Sequence, residues 1–162
     1  MKLFIPTIGT KLKLTADWNF EVKEEYRNTK FLDAIGWTEN MTAKGRSRSR
    51  VQKIDASQLP LELVRDHGAP RLDIEEVKNW SGEIAHTVHD YYFPMTLPAG
   101  TVLSVDRIYI RKGVGDFDSI TFLITDCPDK RFAPKKARGF LPGGCRFWVK
   151  LDEANRIECD VV

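Results

Sequence analysis

Thr101-Val102-Leu103-Ser104-Val105, Arg107-Ile108-Tyr109-Ile110-Arg111 and Ser119-Ile120-Thr121-Phe122-Leu123-Ile124 follow one another closely in this chain. The third is rich in β-branched residues, which suit a strand. Leu97-Pro98-Ala99-Gly100 before them and Gly113-Val114-Gly115-Asp116 between the second and third are turns by composition. The first two runs read as one long or bent strand and the third as its antiparallel successor.

The pattern continues downstream. Residues 126–144 hold Pro128, Pro134, Pro142, Gly139, Gly143 and Gly144, a long loop of a length that is uncommon in compact domains and often functional. Arg146-Phe147-Trp148-Val149-Lys150-Leu151 is the next strand. Asp152-Glu153-Ala154-Asn155 makes a turn or short 3₁₀ segment, and Arg156-Ile157-Glu158-Cys159 a last edge strand. Upstream, Tyr91-Tyr92-Phe93 is β-prone. Lys11-Leu12-Lys13-Leu14-Thr15 and Trp18, Phe20 and Val22 alternate on either side of Ala16-Asp17, a hairpin or a sharply bent strand pair. Phe31, Leu32, Ile35 and Trp37 form a further apolar cluster, interrupted by Gly36. Gly9-Thr10-Lys11-Leu12-Lys13-Leu14 is echoed by Gly100-Thr101-Val102-Leu103-Ser104-Val105, so Gly-Thr-x-Leu-x-apolar occurs twice.

Residues 38–90 differ from both flanks. Ser57 can cap a short helix through Leu59, Leu61, Leu63 and Val64, ended by His67-Gly68. Asp73-Ile74-Glu75-Glu76 has the form of a capping box before Val77 and Trp80, predicting a second short helix. The expected fold is β-rich α+β. Residues 1–37 and 91–162 build a small, strongly bent antiparallel barrel, with 38–90 as a mixed insertion or lid carrying short helices, all in a single domain of 162 residues. Residues 95–162 resemble an SH3-type barrel in outline. This is a likeness of architecture without a family motif, and fold alone says little about function.

Composition bounds the rest. The chain is 42% hydrophobic and 30% charged, an ordinary globular balance. Met1-Lys2-Leu3-Phe4-Ile5-Pro6 is too short an apolar run for a secretory signal, and nothing approaches a membrane-spanning stretch. Three well-separated cysteines, Cys127, Cys145 and Cys159, fit free thiols better than a disulfide framework. A cytoplasmic location is expected.

The net charge is only +2, but it is unevenly placed. Residues 43–53 hold Lys44, Arg46, Arg48, Arg50 and Lys53 and no acid. Residues 130–150 hold Lys130, Arg131, Lys135, Lys136, Arg138, Arg146 and Lys150, again with no acid. Residues 55–85, in contrast, hold seven acids and three bases. Local positive fields attract phosphates and acidic partners. In an extended chain Arg46, Arg48 and Arg50 project to one face about 7 Å apart, near the spacing of successive phosphates on one strand. The second run mixes its bases with Phe132, Phe140, Phe147 and Trp148, a combination suited to single-stranded nucleic acid if the rings are exposed. Adjacency of Phe147 and Trp148 in a strand predicts one ring inward and one outward.

The other constellations are weaker. His86, His89 and Asp90 could begin a metal site, but in a strand the two histidines face opposite ways and no third ligand is evident. Asp116 and Asp118 flank a turn, where aspartate is a common turn residue. Cys145 lies beside Arg146 but has no base near it in sequence. The expectation is therefore a non-catalytic binding protein without a cofactor. Lys44, Arg46, Arg48, Arg50, Lys53, Lys130, Arg131, Lys135, Lys136 and Arg138 would contact nucleic acid or an acidic surface of a nucleic-acid-handling machine. An accessory factor or inhibitor from a phage or mobile element fits that size and composition. A metal-assisted hydrolase using His86, His89 and Asp90, and an assembly protein associating through edge strands, are the alternatives.

Overall fold

A computed structural model describes residues 5–25, 27–34, 61–78, 80–110, 118–133 and 145–162. These residues form two antiparallel sheets and three short helices. The strands are β1 (Lys11–Leu14), β2 (Trp18–Lys23), β3 (Arg71–Lys78), β4 (Ile84–Leu97), β5 (Val102–Tyr109), β6 (Ser119–Asp126), β7 (Arg146–Lys150) and β8 (Cys159–Val161). The helices are α1 (Thr29–Ala34), α2 (Leu61–His67) and α3 (Leu151–Ala154). The larger sheet has the order β7-β6-β5-β1-β8 and the smaller β2-β4-β3. Among the described residues neither sheet closes on itself, so no closed barrel is present.

The strands β5, β6 and β7 fall where their composition puts them, as a meander. β5 is bent, as its composition suggests. Val105 faces Phe122 but Arg107 faces Thr121, which leaves Asp106 as the extra residue of a bulge. The Asp106 carboxylate accepts from Arg146 Nη2 at 2.9 Å, tying the bulge to β7. β1 and β2 do not form a hairpin. They are the two arms of a bend, and each joins a different sheet: β1 pairs with β5 and β8, β2 with β4. Asp17 at the corner accepts the Ala99 N–H at 2.8 Å and fixes the bend against the turn before β5.

The alternation read in β1 and β2 is the burial pattern found: Leu12 and Leu14, then Trp18, Phe20 and Val22, point inward. They meet Leu103, Val105, Ile120, Phe122, Ile124, Phe147 and Val149 in one core. Phe147 sits at its aromatic centre, with ring centroids 4.5 Å from Phe31, 5.4 Å from Phe20 and 5.9 Å from Phe122. Offset stacks of this kind add to the area they bury.

Two sequence expectations change. Residues 29–34, expected among strands, are helical. The Asn28 carbonyl accepts the Leu32 N–H at 3.0 Å, and Phe31 and Leu32, fully buried, anchor the turn. The helix expected from the capping box at Asp73 toward Trp80 is not formed; Arg71–Lys78 is strand β3 instead. Pairing with the long β4 outweighs a local helix signal, since tertiary context overrides propensity. Phe147 is in the core, whereas Trp148 lies outside that core and is covered rather than open to solvent. The helix expected to stop at His67-Gly68 does so: Gly68 is left-handed (φ 97°), and its N–H donates to the Val64 carbonyl at 2.8 Å.

Candidate binding surface

Of the ten cations singled out in the sequence, Lys44, Arg46, Arg48, Arg50, Lys53, Lys135, Lys136 and Arg138 lie outside the described residues. Lys130 and Arg131 stand on the turn after β6, which Asp129 organises: its carbonyl accepts the Phe132 and Ala133 N–H groups, both at 3.1 Å. Both residues are exposed, but their electrostatic settings differ. Arg131 is held from two sides. Its Nη2 lies 2.8 Å from Asp129 Oδ2 and its Nη1 3.4 Å from Asp66 Oδ2. Asp66 belongs to α2, so the second basic run touches the acidic segment here.

His67 completes this cluster. Its Nδ1 accepts the Thr96 N–H at 3.1 Å, and its ring meets Phe132 edge-on at 6.4 Å. Burial, and then the Arg131 charge, hold the imidazole below its ordinary pKa. Burial pushes the Asp129 carboxyl up, but its bonds to the Arg131 side chain and backbone together bring it below the usual range. The Arg65 hydrogen bond lowers Asp66 in the same direction. Every charge in the cluster therefore serves a neighbour.

A second surface was not visible in the sequence. Where β2, β4, β7 and α3 meet, a cleft of about 140 Å³ is lined by Glu21, Lys23, Arg71, Tyr92, Lys150 and Glu153, among others. Arg71 forks onto Glu21, with N–O distances of 2.7 and 3.1 Å, and lies 4.4 Å from the Tyr92 ring centroid. Lys150 Nζ is 5.4 Å from the same ring. Nearby, Arg27 lies 4.7 Å from the Trp148 ring and pairs with Glu25. The register Arg71↔Tyr92 creates this stack, and cross-strand register is not written in any local stretch of the sequence. The cleft is balanced in charge: Glu21, Asp152 and Glu153 against Lys23, Arg71 and Lys150. Burial raises the Glu153 pKa, with Asp152 and Glu21 adding to the effect.

The aromatic rings expected to serve as stacking platforms are taken up by the fold. Phe132 stacks on Phe31 at 5.5 Å, Phe147 is in the core, and Trp148 is covered. Phe140 lies outside the described residues. His86, His89 and Asp90 fall on β4, their backbones opposite Val77, Ile74 and Asp73. Among the described residues no group of three or more His, Cys, Asp or Glu side chains is gathered as for a metal ion. Cys127, Cys145 and Cys159 form no disulfide with one another, and burial raises the pKa of Cys127 and Cys159. No helix among the described residues is long and apolar enough to cross a membrane.

No protein-family model, curated protein or solved structure matches this chain.

Proposed function

We propose that this protein is a non-catalytic binding protein whose cationic segments contact a phosphate backbone or an acidic protein surface. One observation carries the reading: Lys44, Arg46, Arg48, Arg50 and Lys53 stand within residues 43–53 with no acid among them, in a chain of net charge +2. A dense local charge in a nearly neutral protein produces a directed field rather than general stickiness. Burial of Phe132, Phe147 and Trp148 shifts the mode of contact from base stacking to charge. The Arg131 pairings shift the weight within the second run to Lys130, Lys135, Lys136 and Arg138.

The scaffold is read as an open SH3-like barrel. The order β7-β6-β5-β1-β8 supports it: three consecutive strands form a meander, the first strand joins its side, and the last enters through a one-turn helix to pair with the first. A cytoplasmic site of action, as an accessory factor or inhibitor acting on a nucleic-acid-handling machine, belongs to the same reading and is supported by three cysteines that form no disulfide with one another.

The test is a salt titration of binding to fluorescein-labelled duplex DNA, single-stranded DNA and RNA. Affinity should fall steeply and linearly on a log–log plot. The Arg46→Glu/Arg48→Glu/Arg50→Glu variant should lower the slope by about 2–3, at roughly 0.9 for each phosphate no longer neutralised. Salt-independent affinity, or a variant that binds like the parent, overturns the nucleic-acid reading. Salt-sensitive binding to a polyglutamate probe with none to nucleic acid assigns the surface to acidic protein instead.

A further inference from the structure

The turn after β6 meets the end of α2 around one imidazole. His67 Nδ1 accepts the Thr96 N–H at 3.1 Å, so in the neutral ring the proton sits on Nε2. That nitrogen is buried and finds no hydrogen-bond partner among the described residues. The bond to Thr96 exists only while Nδ1 carries no proton. A second proton sets two donors head to head, Nδ1–H against the Thr96 N–H, and the ring has to turn away from β4.

The charges around the ring decide where it turns. Arg65 and Asp66 come from α2, and Asp129 and Arg131 from the turn. β4 offers the Thr96 backbone and no acid or base between Phe93 and Leu97. Two carboxylates face two guanidinium groups, so the cluster is neutral while His67 is neutral. Protonation of His67 leaves it cationic, beside the exposed Lys130. Imidazolium and Arg131 then compete for Asp66. The imidazole is half-buried, whereas the Arg131 side chain is 40% exposed and has water as an alternative. A charge with less water gains more from an ion pair, so Asp66 goes to the ring. The Arg131–Asp66 contact at 3.4 Å is also the longest that holds Arg131. Its bonds to Asp129, at 2.8 to 3.2 Å, use Nε, Nη2 and the backbone N–H and survive the exchange.

We propose that His67 is a proton switch for anion contact at this turn: its protonation draws Asp66 off Arg131 and opens the Nη1 edge of the guanidinium to a phosphate beside Lys130. Burial and the Arg131 charge keep the ring neutral at neutral pH, so the switch works on the acid side. The proposal rests on the functional reading above and adds a condition to it. Coupling of this kind is reciprocal, so a phosphate held at the turn favours the protonated ring.

Two measurements test this. The first needs no ligand: the His67 ring resonances are followed by NMR from about pH 8 to about pH 5. Arg131→Ala should move the His67 midpoint up, because a competing cation is gone. Asp66→Asn should move it down, because the receiving carboxylate is gone. The Thr96 amide should shift with the same midpoint as the ring. The second is the salt titration of fluorescein-labelled duplex DNA, run at pH 8 and again below the His67 midpoint. On acidification the slope of the parent should steepen by about 0.9, one phosphate, beyond any change in Arg131→Ala. His67→Asn keeps an acceptor for Thr96 but cannot titrate, and should lose the same increment. Titration of His86 and His89 is common to all three proteins and cancels in the comparison. A His67 midpoint indifferent to both substitutions, a slope that steepens equally in all three proteins, or loss of the fold as His67 titrates overturns the switch. Midpoints that move as expected in a protein that binds no polyanion at either pH overturn the functional reading, and the anion half of this proposal with it.

Discussion

Gly9 and Gly100 occupy matching positions across a local twofold axis between β1 and β5, both with left-handed backbones (φ 88° and 85°). The Gly9 N–H donates to the Val105 carbonyl and the Gly100 N–H to the Leu14 carbonyl, each at 2.8 Å. Val105 N–H then donates to Thr10 and Leu14 N–H to Thr101, each at 2.9 Å. Any antiparallel pair has such an axis. What this sequence adds is the same residues at both ends, since Leu12 pairs with Leu103 at the centre and the repeated Gly-Thr-x-Leu-x-apolar phrase pairs with itself.

Both glycines should therefore answer alanine substitution alike. A Cβ at Gly9 meets nothing within 4 Å, and one at Gly100 meets only Pro128 Cγ at an ordinary 3.5 Å. The cost is then purely conformational, about 1–2 kcal/mol for a non-glycine residue in the left-handed region. Urea denaturation of Gly9→Ala and Gly100→Ala should give losses that agree to within about half a kcal/mol. A large loss at one site and none at the other would show that a single turn sets the register.

His67 predicts an acid-side weakening. Its Nδ1 accepts a backbone N–H, which only the neutral ring can do. Asp66, Asp129, Arg65 and Arg131 are the charged groups around it, and burial with Arg131 lowers its pKa. The folded-state pKa thus lies below the unfolded value near 6.5. The stability this provides is full above about pH 6.5 and is lost as pH falls through the folded pKa. His67→Ala should cost about 1–2 kcal/mol at pH 8, where Thr96 loses its acceptor. The same variant should flatten the pH dependence of the denaturation midpoint below 6.5. An unchanged slope would assign that dependence to other groups.

Much of the β framework was legible because it is written locally. Alternation around Leu12 and Phe20, turn residues at Pro98 and Gly100, and the β-branched run at Ile120 act through period and propensity. The misses are all tertiary. Residues 71–78 carry a helix-start pattern and become a strand only because β4 runs long enough to pair with them. Arg27, just before α1, lies over the Trp148 ring, while Asn28 bonds the Trp148 backbone, and neither contact is written locally. The candidate site was legible as charge and not as geometry. Nothing local in Lys130-Arg131 says that an aspartate on α2 takes up one of the two.

That difference can be measured. Arg131 shares its guanidinium between Asp129 and Asp66, whereas Lys130 is exposed on the same turn. Lys130→Ala should reduce the salt slope of polyanion binding by about 0.9, the value for one phosphate, with stability unchanged. Arg131→Ala should leave the slope nearly intact and cost at most about 1 kcal/mol, the usual range for exposed pairs. The reverse ranking in the salt titration would mean that Arg131 leaves its carboxylates to bind.

Asn28 is the strongest single test of how the two sheets are joined. Its carboxamide acts as a peptide group added to the outer edge of β7. Oδ1 accepts the Trp148 N–H at 2.8 Å, and Nδ2 donates to the Trp148 carbonyl at 3.2 Å and to the Lys23 carbonyl at 3.0 Å. One side chain thus caps the larger sheet at β7 and holds the end of β2 from the smaller sheet. Asn28 is fully buried, and its two bonds to the Trp148 backbone are buried with it. Asn28→Ala should cost about 2–4 kcal/mol, more than one ordinary hydrogen bond, because three hydrogen bonds are lost at once, two of them buried. Asn28→Asp keeps the shape but turns a donor toward two carbonyls into an acceptor, so it should be no better tolerated. Asn28→Ala combined with Phe147→Ala should fall short of the sum of the single losses, because both loosen the packing of β7 against α1. Strict additivity would show that the edge cap and the aromatic core stabilise the fold independently.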